Sequence, residues 1–282
     1  RRRAEAKQQR MHNVTLYPFS EAHIDGALAL SEAAGWPHGR RDWEMLLPMS
    51  KGHVAVDGDR VIGTALRSNF GTCLSTLNMV LVAEDRRQRG IGRALVEAVM
   101  TGARTRSWRL IATAAGRPLY ERLGFVTIGE IKQFQGVVQA PPPAAPIMAA
   151  RREDLDALRA LEAHSFGAER ARLTDWLMAN ATLAVLRGRD GAPTGYAARR
   201  PFGRGQLIGP VVATNPEDAG ALISQLSQDL QGVFLRLDIT DERLSPLLRQ
   251  LGLDHVTTAP VMQRGSATGA KTRFAIASQA LG

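Results

Sequence analysis

Alternation of apolar and polar positions organises the chain before any single residue does. Val14–Phe19 alternates as a strand should, and a helical period follows over about Ser20–Ala33, with Ser20 at the N-cap. A second helix is predicted at about Arg40–Pro48. Strands follow over His53–Val56, Val61–Phe70 and Leu74–Ala83, the first two joined by the turn Asp57-Gly58. From Ile91 to Arg104 the period becomes helical, with Ile91, Leu95, Val99 and Ala103 on one face at i, i+4 spacing. Ser107–Thr113 then reads as a strand, Pro118–Leu123 as a helix, and Phe125–Ile128 and Ile131–Val138 as closing strands.

The same order recurs from Ile147 to about Ile276. Gly63-Thr64-Ala65-Leu66-Arg67-Ser68-Asn69-Phe70-Gly71 shares Gly, Ala, Arg, Phe and Gly with Gly195–Gly203 at identical spacing, and Leu123-Gly124-Phe125 is echoed by Leu251-Gly252-Leu253. Between the halves lies a Pro/Ala-rich stretch without amphipathic period, Val137–Pro146, which reads as a semi-rigid linker. The pattern predicts an α+β fold: two tandem domains, each a mixed, mostly antiparallel sheet flanked by helices. They are placed at residues 11–138 and 147–282, joined through 139–146.

Composition narrows the class. At 282 residues and 44% hydrophobic content the chain can bury a core for two domains of ordinary size. No run approaches the 18 apolar residues of a membrane span, so a cytoplasmic protein without membrane partners is expected. The lone Cys73 lies in an apolar, strand-like run and is read as a buried structural thiol. Of the net charge of +9, the leader Arg1–Arg10 supplies +4 from five basic residues and one acid. Residues 1–10 are read as a tag or disordered leader. Nucleic acid is disfavoured as a partner, because much of the remaining charge gathers at one loop. No metal is expected.

That loop is Val80-Leu81-Val82-Ala83-Glu84-Asp85-Arg86-Arg87-Gln88-Arg89-Gly90-Ile91-Gly92, a strand running through a basic turn into a helix. Gly90 and Gly92 let a ligand approach the backbone closely. The first amides of the helix have no intrahelical acceptor and carry the positive end of its dipole. Together they suit a pyrophosphate, with Arg86, Arg87, Arg89 and Arg93 adding charge-assisted contacts. The plain alternative is a solvated basic turn capping a helix.

Arg87-x-x-Gly90-x-Gly92 after a Val-x-Val strand, with Leu119-Tyr120-Glu121-Arg122-Leu123-Gly124-Phe125 downstream, closely resembles the GNAT (GCN5-related N-acetyltransferase) superfamily. The resemblance covers residues 11–138. Ala112–Tyr120 and the second half, with its strand Gly209-Pro210-Val211-Val212-Ala213, resemble a subgroup of tandem GNAT proteins whose C-terminal repeat is degenerate. The resemblance implies acetyl-CoA as co-substrate, with its pantetheine arm along Val80, Leu81 and Val82. Its pyrophosphate would lie on Arg87, Gln88, Arg89, Gly90, Ile91, Gly92 and Arg93. The second half has no such loop. Ala213-Thr214-Asn215-Pro216-Glu217-Asp218-Ala219-Gly220-Ala221-Leu222 is about three residues shorter and puts two acids where phosphate would sit, so one CoA per chain is expected.

The resemblance also implies that Tyr120 is the general acid; an ordinary half-buried tyrosine is the plain alternative. The family's usual Glu is replaced near Leu110 or Ile111, and its usual Asn by Ala115-Gly116. His53 and Asp238 are the candidate bases, although a structural role is the stronger reading for each. The link Gly35-Trp36-Pro37-His38-Gly39-Arg40-Arg41-Asp42-Trp43 is expected to line the acceptor pocket. In it Trp36 and Trp43 form walls, Arg40 or Asp42 orients a polar ligand, and Asp238 contributes from the second half. Trp43 reads equally well as a core anchor. The corresponding Phe166-Gly167-Ala168-Glu169-Arg170 closes the cleft from the other side. The leading reading is acetyl transfer to a primary amine of a small molecule, and a homodimer is compatible with it. Protein or peptide N-acetylation, or a non-catalytic CoA-responsive or nucleic-acid-binding role, are the alternatives.

Overall fold

The computed structural model describes residues 14–143, 147–266, 269 and 271–282. The leader at 1–10 and the linker positions 144–146 lie outside the described residues. The chain forms two compact units. One carries the described residues up to Asn69 together with Ser75–Thr105; the other carries Phe70–Leu74 and Arg106–Gly282.

In the first unit, β1 (Val14–Pro18), β2 (Ser50–Asp57), β3 (Arg60–Phe70) and β4 (Leu74–Val82) lie side by side in that order. β1 and β3 both run antiparallel to β2. The helices are α1 (Ile24–Ala33), α2 (Arg40–Leu46) and α3 (Ile91–Met100). The predicted i, i+4 face of α3 is buried at Ile91, Leu95 and Val99, while Ala103 lies beyond the helix end. Gly63 of β3 is what admits this helix, since a Cβ there would meet Leu95 at 2.9 Å and the Leu81 carbonyl at 3.1 Å. Cys73 corrects the sequence reading. It is exposed, because Gly71 at φ 60 turns the chain between β3 and β4 and leaves Cys73 in that turn.

The second unit contains β5 (Ser107–Ile111), α4 (Arg117–Arg122), β6 (Val126–Val137) and β7 (Met148–Ala149). Then come α5 (Leu155–Phe166), α6 (Ala171–Asn180), β8 (Thr182–Arg187), β9 (Pro193–Phe202), β10 (Gly205–Val212) and α7 (Pro216–Ser227). The chain finishes with β11 (Phe234–Ile239), α8 (Ser245–Gln250), β12 (Asp254–Arg264) and β13 (Arg273–Ala275). Its strand order is β5-β12-β6-β11-β13-β10-β9-β8-β7. The apolar faces of β10, β11 and α7 meet in one core around Leu222, Ile223, Leu235 and Leu237, all with no exposed surface.

That order differs from the sequence reading in an informative way. The two closing strands predicted for the first half are one continuous strand, β6, which pairs antiparallel with β11 and β12 of the second half. β12, the closing strand of the second half, pairs in turn with β5 of the first. Each half thus completes the other's sheet. Gly124 (φ 84) and Gly252 (φ 88) make equivalent left-handed turns into these two strands, which is why the Leu-Gly-Phe and Leu-Gly-Leu motifs recur. The compact units divide the chain at 105/106 rather than at the linker, because the exchange ties β5 and β6 to the second half.

Candidate functional site

The loop after β4 has the geometry of an open anion cradle. Met79 sits at φ 48 inside β4, a conformation sparsely populated by residues with a side chain, and its carbonyl accepts from Thr64 Oγ1 at 2.7 Å. Beyond it, Leu81 points into the core while Val80 and Val82 are half-buried. Gln88 (φ 62) and Gly90 (φ 85) turn the chain so that Gly90 becomes the N-cap of α3. No side chain caps this helix and its first turn contains no acid, so its leading amides are available to a ligand. At Gly92 an added Cβ would meet Val82 Cγ2 at 3.4 Å.

The arginines divide into two groups. Arg86 is half-buried and committed to Asp57 at 2.7 Å, which removes it from the expected phosphate contacts. Arg93 pairs with Glu97 at 2.6 Å on the exposed face of α3. Arg87 is exposed, its Nε reaching back to the Val82 carbonyl at 3.4 Å. Exposed Arg89 makes no ion pair among the described residues. Arg87 and Arg89 are therefore the side chains best placed for an incoming anion, with Arg93 one salt bridge away.

The second unit shows the same motif closed. Asn215 caps α7, its Oδ1 accepting the Asp218 amide at 2.8 Å. The Asp218 carboxylate takes hydrogen bonds from Thr214 Oγ1 and Asn215 Nδ2, both at 2.9 Å. The positive end of this helix already has its anion. The adjoining strands are filled as well. β10 and β11 begin as parallel neighbours at Gln206–Leu207 and Leu235–Arg236, then part, and β13 enters between them. Ala213 N–H donates to the Thr272 carbonyl, Thr240 N–H to Phe274 and Ile276 N–H to the Asp238 carbonyl, at 2.9–3.0 Å. Sequence reasoning missed this inserted strand, because three residues carry no readable period.

Tyr120 lies on α4. The residue is 7% exposed and its ring meets Phe125 edge-on at 6.0 Å. The hydroxyl makes no hydrogen bond among the described residues. Burial pushes its pKa well above that of a free phenol, so it holds its proton. Gly116, at the place where the family's Asn is missing, shapes this pocket, since a Cβ there would stand 3.1 Å from the Tyr120 ring.

The expected acceptor wall is largely occupied with structure. Trp43 has no exposed surface and donates its indole N–H to Ser31 at 3.1 Å, so it is a core anchor and offers no wall. Asp42 accepts the Gly39 amide at 2.9 Å at the start of α2, and Arg40 pairs with Asp25. Trp36 is half-buried against His38, with centroids 5.5 Å apart. Asp238 is buried and held bidentately by Arg236 two residues before it, at 2.8–3.2 Å, which leaves no lone carboxylate to serve as a base or ligand. His53 is half-buried; burial and then Arg67 lower its pKa, leaving it neutral. Asn78, overlooked in the sequence, is buried in β4 and donates to Ser68 at 3.1 Å, while its Oδ1 has no partner among the described residues.

Comparison with known proteins agrees with both halves of the chain. Two family models described as acetyltransferase (GNAT) domain match residues 49–127 and 158–274. A Bacillus subtilis (strain 168) protein described as the uncharacterized N-acetyltransferase YitH is 30% identical over 95% of this chain and 98% of its own length. Among solved structures, a candidate acetyltransferase from Pyrococcus horikoshii superposes with a TM-score of 0.82 at 18% identity, covering 96% of both chains. A tandem GNAT protein from the clavulanic acid biosynthesis pathway gives 0.62 at 15% identity, covering 92% of this chain and all of its own. These two likenesses concern the fold.

Proposed function

Because this chain belongs to the GNAT acetyltransferase superfamily, with a GNAT domain in each half, we propose that it moves an acetyl group from acetyl-CoA directly to a primary amine of a small molecule. The observation that carries this reading is the uncapped N-terminus of α3, whose amides follow a strand with an internal break at Met79. An anionic cofactor supplies the cap that the chain omits there and supplies for itself at α7.

In this reading the backbone from Gln88 to Arg93, with the guanidinium groups of Arg87 and Arg89, holds the pyrophosphate. The main chain of Val80–Val82 pairs with the pantetheine amides as an added strand would. A main-chain amide at the end of β4 donates to the thioester carbonyl, a bond that strengthens as negative charge gathers on oxygen. The neutral amine nitrogen attacks the carbonyl carbon, the C–S bond breaks, and Tyr120 gives its phenolic proton to the departing sulfur. The proton lost from the attacking nitrogen passes to solvent. Asp238 is bound in its ion pair, and we assign no protein base.

Acetyl-CoA binding tests the proposal directly. Acetyl-CoA should raise the melting temperature of the unmodified chain and leave that of Gly90→Glu unmoved. A glutamate at Gly90 would combine an unfavourable left-handed backbone with a carboxylate in the phosphate cradle. No shift for the unmodified chain would refute the cofactor assignment.

A further inference from the structure

The break in β4 is held from the strand beside it. Met79 takes φ 48 while its side chain is buried, a conformation that residues other than glycine keep only where their surroundings impose it. Thr64 of β3, with no exposed surface, donates from Oγ1 to the Met79 carbonyl at 2.7 Å. Side chains stand off the face of a sheet, whereas ladder hydrogen bonds lie within it. A carbonyl that meets a side-chain hydroxyl has therefore swung out of the ladder, and the peptide that follows Met79 turns with it.

The residue before the break is fixed from the same strand. Asn78 donates from Nδ2 to Ser68 Oγ at 3.1 Å, and Ser68 Oγ is in turn hydrogen-bonded with Ser50 Oγ of β2 at 2.7 Å. Thr64 and Ser68 are four residues apart on β3 and so share one face of it. Two hydroxyls of one strand thus hold two successive residues of the next. Past the break, Ala83 N–H donates to the Ile62 carbonyl at 2.8 Å, so β4 is tied to β3 again before the basic loop begins. The half without the glycine loop uses the equivalent position differently. The spacing that matches Gly63 with Gly195 puts Tyr196 where Thr64 stands, and its hydroxyl donates to Glu162 at 2.5 Å.

We infer that Thr64 is a positioning residue for the acyl donor: its hydroxyl holds the turn at Met79 that presents the main chain of Val80–Val82 to the pantetheine arm. It acts through the backbone of β4. The inference rests on the acetyl-CoA reading and adds a division of labour to it. The arm depends on Thr64, whereas the pyrophosphate cradle from Gln88 to Arg93 lies beyond the tie at Ala83 and does not.

Calorimetric titration of the full chain separates the two halves of the cofactor. The probes are acetyl-CoA and 3′-phospho-ADP, which keeps the nucleotide and pyrophosphate but lacks the arm. Thr64→Val, close in size but without the hydroxyl, should weaken acetyl-CoA by at least about tenfold and leave 3′-phospho-ADP within about twofold. Thr64→Ser, which restores a hydroxyl, should bring acetyl-CoA back to within about threefold of the unmodified chain. Should Thr64→Val not fold, Thr64→Ala carries the same comparison. Equal weakening of both probes, unchanged acetyl-CoA affinity, or no recovery with Thr64→Ser would overturn the role while leaving the cofactor reading in place. An unmodified chain that binds neither probe would refute the cofactor reading, and the role of Thr64 with it.

Discussion

At the start of α3 the N-cap is a glycine at φ 85 and no side chain turns back onto the free amides. At the start of α7 the cap is Asn215, Pro216 removes one donor outright, and the Asp218 carboxylate lies against the first turn. The two helices follow equivalent strands in two copies of one fold. Both ends present the same partial positive charge. A helix end that satisfies itself is closed to an anion, and one that does not is open to it. In the second unit the parting between β10 and β11 is also filled, by β13 from the same chain.

The largest effect should come from closing the open end. Gly90→Glu should lower kcat/KM for acetyl-CoA by at least about a hundredfold and abolish its thermal shift, since it removes both the turn and the charge complement. Tyr120→Phe comes next. Loss of a general acid should reduce kcat by about a hundredfold or more, with acetyl-CoA affinity within twofold of the original. Because burial raises the Tyr120 pKa, the rate should show no decline from its ionisation between pH 7 and 9.

Opening the closed end should be milder. Asn215→Ala should cost about 1 kcal/mol of stability, seen as a lower melting temperature. Calorimetry should still count one acetyl-CoA per chain, because β13 remains in place; a second equivalent would break the comparison. The smallest effect is on stability against pH. His53 has a lowered pKa when folded, so the unfolded chain takes up its proton first as pH falls through about 6.5. Stability should drop on acidification below that point, and His53→Gln should flatten the slope measured by urea denaturation between pH 7 and 5.

Local signals explain what was legible in the sequence. Ile91, Leu95 and Val99 announced α3 through their period, and Gly90 announced its unusual start, because both are properties of a few consecutive residues. The acids of Glu217 and Asp218 announced that the second loop had changed. What failed to show was non-local. Arg86 looked like its neighbours until Asp57 was found beside it. Trp43 and Trp36 are the same residue type in one link, yet only the fold buries the first against Ser31. Arg109, Arg170 and Arg273 are scattered over 165 positions and meet only around Phe166. Strand alternation predicted β6 as a strand but carried no information about its partner.

The partnership of β6 with β11, and of β12 with β5, has a consequence for how this molecule can be taken apart. Cutting the chain in the linker would give two fragments, each lending a strand, β6 or β12, to a sheet that belongs to the other. Neither would have a finished fold alone, yet each would hold the piece its partner lacks. Such fragments should behave like the chains of an obligate heterodimer, found together or not at all. The second half, whatever its chemistry, is then as indispensable to the first as a second subunit.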